Sequence, residues 1–94
     1  MVKHIVCFKL KNPAEKEKVR ELLLSMRGNV PSAKKIEVGV DFLGSDRSYD
    51  VILMVDLENR EALDTYQNDP YHVNIVKAYM HQARSASVAV DYEF

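Results

Sequence analysis

Cysteine occurs once in the 94 residues, tryptophan not at all, and glycine and proline three times each. A lone Cys7 closes no intramolecular disulfide, and its place between apolar neighbours predicts a buried small hydrophobe rather than a nucleophile. Gly28, Gly39 and Gly44 are too scattered to build a phosphate-cradling loop, which leaves nucleotide, flavin and haem cofactors without a recognisable seat, so no cofactor is expected. Charge of one sign is also missing: 13 Lys and Arg stand against 14 Asp and Glu, a net of −1. Neither nucleic acid nor an anionic membrane finds the basic face it needs. No apolar run approaches the roughly 20 residues that span a bilayer, and the first residues lead into structure without a cleavable apolar leader, so a cytoplasmic protein is the expectation. Linkers, repeats and low-complexity tracts are absent as well, which predicts one domain over residues 1–94. A monomer of this size buries only about 60 to 65% of its unfolded surface, so a partner chain would help it.

What is present is strong patterning. Val2, His4, Val6, Phe8 and Leu10 alternate onto one face of a strand that is apolar but for His4. Asn12-Pro13-Ala14-Glu15 supplies an N-cap, a proline at the first helical position and a capping-box glutamate, so a helix starts there. Val19, Leu22, Leu23 and Met26 form its stripe, and Gly28 stops it. Alternation from Ile36 to Phe42 predicts a second strand, and Tyr49 to Leu57 a third that is apolar on both faces and therefore internal. Asn59 caps a short helix in which Ala62, Leu63 and Tyr66 share a face, and Asp69-Pro70 breaks it. Beyond the break, His72, Ile75, Val76 and Tyr79 fall on one helical stripe, with His81 turned the other way. A last strand runs from about Arg84 to Phe94.

The order is βαββαβ. Right-handed crossovers turn this into an α+β, ferredoxin-like sandwich: a four-stranded antiparallel sheet with helices on one face. The other face carries Ile5, Cys7, Ile52 and Met54, which predicts a homodimer packed sheet to sheet.

Three proton-handling side chains, His4, Tyr66 and His72, point into the same interior. Inward polar groups need partners. They are therefore either a buried hydrogen-bond cluster or the lining of a pocket, and a cavity of about 300 Å³ or more touching all three would favour the pocket. Zinc is poorly served, because no HxH or CxxC spacing exists and further ligands are hard to name, so no metal is expected. No serine occupies a nucleophile elbow.

The opening Met1-to-Val6 strand, Val38-Gly39, the Ser45-to-Asp50 turn, Tyr66-Gln67 with Pro70-Tyr71-His72, and the closing Val90-Asp91-Tyr92 together resemble the stress-responsive A/B barrel (Dabb) family along essentially the whole chain. The resemblance implies a dimeric α+β barrel. Within that family the His and Tyr positions resemble the plant olivetolic acid cyclase branch, which closes a linear poly-β-ketone by an aldol reaction without a cofactor. By that resemblance His72 matches a catalytic histidine, Tyr66 a catalytic tyrosine and His4 a pocket histidine. Asp69 stands where many relatives carry another histidine. Some relatives hold a cation on backbone carbonyls in the loop after the first helix, where Arg27, Val30 and Ala33 correspond.

An aldol closure needs a base beside a carbonyl and a donor for the oxyanion. His72 is the candidate base, kept neutral by the helix end, Tyr66 the candidate donor, and His4 an orienting contact. The expected ligand is a small, largely apolar carbonyl compound. The alternative is a non-enzymatic structural or stress-related dimer in which the three side chains are only a buried cluster.

Overall fold

The computed structural model describes residues 1–94. Its elements run β1 (Val2–Leu10), a 3₁₀ turn (Pro13–Glu15), α1 (Lys16–Leu24), β2 (Lys35–Val40), β3 (Val51–Leu57), α2 (Arg60–Asn68), a π-helical turn (His72–Lys77) that flows into α3 (Ala78–Ala83), and β4 (Arg84–Glu93). The strands form one antiparallel sheet in the order β2-β3-β1-β4, which is the expected ferredoxin-like topology. β1 and β3 are the internal strands, as their apolar centres require.

Register decides what shares a face. His4 lies opposite Val55 of β3 and Asp91 of β4, and Phe8 opposite Val51 and Ser87. The inner face therefore carries Val2, His4, Phe8 and Leu10 with the buried row Val51, Leu53, Val55 and Leu57. Val19, Leu23 and Met26 of the α1 segment are fully buried against it. At about 1.5–3 kcal/mol for each large apolar side chain removed from water, this layer is what holds the helices to the sheet. The helices stand mainly over β2, β3 and β1. The inner face of β4 (Ser87, Ala89 and Asp91) stays exposed, and a cleft opens there.

Local departures from the sequence pattern have local causes. The Asn12 side chain accepts from Ala14 N at 3.1 Å and caps a 3₁₀ turn, so α1 begins at Lys16 without the reciprocal glutamate bond. β2 ends at Val40 because Asp41 Oδ2 accepts from Gly44 N at 2.7 Å, and Gly44 adopts a φ of 64° that other residues avoid. Phe42, expected to continue the strand, is thereby turned out and is 96% exposed. α-Helical spacing puts Ile75 on the buried stripe, but it is 47% exposed, because the wider i→i+5 turn spaces its buried positions differently.

The outer sheet face is bare. Ile5, Cys7, Ile52 and Met54 are half-buried and continue into Val88 and Val90 of β4, which are exposed. Cys7 is therefore a surface-facing strand residue rather than a buried one.

Candidate functional site

β1 delivers His4 to the inner face, where it is 7% exposed. Its Nδ1 donates to the Asp91 carboxylate across the β1–β4 register, a hydrogen bond between residues 87 apart in sequence. A carboxylate on Nδ1–H leaves Nε2 carrying the lone pair, as in the Asp–His half of a hydrolase triad.

α2 is started by Asn59, whose side chain accepts from Ala62 N at 2.8 Å, and carries Tyr66 to full burial. The Tyr66 ring lies between the two histidines, 5.5 Å from the His4 ring and 4.5 Å from that of His72. Its hydroxyl donates to Met26 Sδ at 3.7 Å, and a thioether is a weak acceptor. Burial pushes the phenol far above its usual pKa, so Tyr66 stays protonated: it can give a hydrogen bond but cannot cycle as an acid and base.

The break after α2 is built by Asp69. Its Oδ1 accepts from Tyr71 N at 2.8 Å and His72 N at 3.3 Å, which caps the next helical segment and accounts for an aspartate here. His72 Nδ1 donates to the Gln67 carbonyl at 3.4 Å. The His72 pKa is lowered, chiefly by burial, with the positive charge of Lys77 and the nearby His4 acting in the same direction against the Gln67 bond and Asp69. The direction is the one expected from the helix end, but burial is its main cause.

His4, Tyr66 and His72 line one cavity of about 240 Å³, somewhat under the size expected from the sequence. They do not hydrogen-bond to one another. Val6, Phe8, Leu23, Leu53, Val76 and Met80 make its apolar walls, and Gln67, Lys77, His81, Arg84 and Ser87 complete it. α-Helical spacing turns His81 away from His72, yet it borders the cavity. Nine residues of α-helix turn about 900°, half a revolution from His72, but the residue absorbed by the π turn brings it back by about 100° and onto the cavity.

Sequence reasoning missed Asp91, whose partnership with His4 depends on strand register. Gln67, whose carbonyl orients His72, was also missed because backbone groups leave no sequence signature. At the loop after α1, the Val30 carbonyl already accepts from Ala33 N at 3.1 Å, and the Arg27 guanidinium donates to the Ile36 carbonyl at 2.5 Å.

The family model described as Stress Responsive A/B Barrel Domain matches residues 2–94. Among solved structures, a dimeric protein of unknown function and ferredoxin-like fold from Bacteroides fragilis is similar at 28% identity and a TM-score of 0.83, over 99% of this chain and 95% of that one. A dimeric ferredoxin-like protein of unknown function from Thermobifida fusca gives 24% and 0.84, over 99% and 90%. A Dabb family protein with a ferredoxin-like fold from Mesorhizobium loti gives 17% and 0.76, over 99% and 95%. No curated protein matches the sequence.

Proposed function

Because this chain belongs to the stress-responsive A/B barrel domain family, we propose that it works as a homodimer whose cavity takes a small, largely apolar carbonyl compound and moves a proton on it without a cofactor. His72 is the base. Its Nδ1 is tied to the Gln67 carbonyl and its pKa is lowered, so neutral Nε2 is the nitrogen left to accept a proton. The proton leaves the carbon beside the ligand carbonyl for Nε2, and the C–H electron pair moves into an enolate. Tyr66 donates to the enolate oxygen, and His4, held by Asp91, orients the other side of the ligand. Attack of the enolate carbon on a second carbonyl of the same molecule would close a ring, with His72 returning its proton to the new alkoxide.

The observation that carries this reading is the state of the Tyr66 hydroxyl. It is fully buried and its one partner is a sulfur that an oxyanion would outbid, while the ring that carries it lines the cavity 4.5 Å from the His72 ring. The dimer rests on the apolar outer face and on the similar proteins from Bacteroides fragilis and Thermobifida fusca, both described as dimeric.

Deuterium exchange tests the chemistry without knowledge of the natural substrate. An alkyl 1,3-diketone incubated in D₂O is expected to exchange its acidic C–H faster with the protein than in buffer, and His72→Asn is expected to abolish the gain while circular dichroism stays native. An unchanged rate in His72→Asn, or no gain with the wild type, sinks the catalytic role and favours the alternative of a non-enzymatic dimer.

A further inference from the structure

The cavity has a second chemical character that the proton-transfer reading does not use. Lys77, His81 and Arg84 all border it. None of the three lies within ion-pair distance of a carboxylate, although the chain has 14 Asp and Glu residues and pairs Lys3 with Asp56 at 3.0 Å and Arg60 with Glu93 at 2.6 Å elsewhere. Of the carboxylates at the His4–His72 end, Asp91 is taken by His4 and Asp69 by the backbone N–H groups of Tyr71 and His72. Lys77 and Arg84 thus place two positive charges without an ion-pair partner at the border of an apolar hole.

Their order along the fold is informative. The cavity follows β1 from His4 to Phe8, four residues or about 13 Å of strand. Arg84 opens β4 opposite Leu10, beyond the Phe8 end, while Lys77 and His81 are one helical turn apart on the opposite wall. His4, His72 and Tyr66 occupy one end, the apolar side chains the middle, and Arg84 the other end.

We propose that the ligand is an anionic amphiphile: a carbonyl compound whose apolar chain runs along Val6 and Phe8 and ends in a carboxylate held by Arg84, with Lys77 adding to the field and His81 bordering the same cavity. This assignment rests on the pocket reading above and narrows it. A planar guanidinium suits a carboxylate, since it can meet both oxygens at once. A phosphate-bearing group would meet the same charges and is distinguished by the test.

The test compares three probes of equal chain length against the wild type by NMR titration: an oxo-fatty acid of nine carbons with its ketone far from the carboxylate, the methyl ester of that acid, and the corresponding oxoalkyl phosphate. The acid is expected to bind about tenfold more tightly than its ester, the effect of one charge-assisted hydrogen bond at a half-exposed site. That preference should shrink at high salt, which screens exposed charges without changing the protein. It should fall below about twofold in Lys77→Gln/Arg84→Gln, where the ester reports the state of the apolar hole. Equal binding of acid and ester overturns the anionic assignment and leaves the pocket reading standing. Binding of none of the probes overturns both. A phosphate that binds far more tightly than the acid overturns the carboxylate in favour of a phosphorylated carrier.

Discussion

Removing the Tyr66 hydroxyl should make the protein more stable. In the native state that hydroxyl is fully buried and donates only to Met26 Sδ, at 3.7 Å. Taking a hydroxyl out of water without a good partner costs about 1–3 kcal/mol, and a long bond to a thioether recovers only a fraction of that. In Tyr66→Phe the ring keeps its place between His4 and His72, and the space vacated by one oxygen carries a cavity penalty on the order of a few tenths of a kcal/mol. The balance is a gain of about 1 kcal/mol, or a rise of roughly 4–8 °C in Tm for a domain of this size. Urea titration and thermal melts at one fixed protomer concentration read it, since dimerisation makes both concentration-dependent. The same variant should lose exchange activity toward a diketone, because the enolate loses its donor. A loss of more than about 1 kcal/mol would refute the reasoning, for it would mean that the hydroxyl has a strong partner and is structural.

Stability should also depend on His72 protonation. Its folded pKa lies below the ordinary value of 6.5, so the unfolded chain binds the proton more readily, and stability falls as pH drops from 6.5 toward the folded pKa, by at most about 1.4 kcal/mol per unit. Urea midpoints at pH 7.5 and 5.5 should show a smaller difference in His72→Asn than in the wild type; identical differences would contradict the buried, neutral imidazole. On the outer sheet face, Val90→Lys puts a charge into the apolar patch and should give a folded monomer at micromolar concentration by sedimentation, whereas a persisting dimer would place the interface elsewhere.

The architecture was legible because its signals are local. Alternation from Val2 to Leu10 placed His4 inward, Asp69-Pro70 marked the break before His72, and the apolar centre of β3 required an internal strand. The site was legible only as a set of inward polar residues. That Asp91 serves His4 follows from β1–β4 register over 87 positions, which no spacing rule encodes. The π turn leaves no side-chain pattern, so Ile75 and His81 were both assigned by a period that the backbone does not follow there. Phe42 escaped because an aspartate and a glycine two residues farther on end the strand before it.

That π turn amounts to an α-helix holding one residue too many. Deletion of a single codon between Val73 and Lys77 would let the segment relax to ordinary helix and would rotate α3 by about 100° relative to His72, carrying Met80 and His81 off the cavity. One insertion or deletion is thus enough to rewrite the wall of the pocket. The length of this one turn, rather than any single side chain, sets which residues α3 presents to the ligand, so a change of specificity is open to it without any substitution in the wall itself.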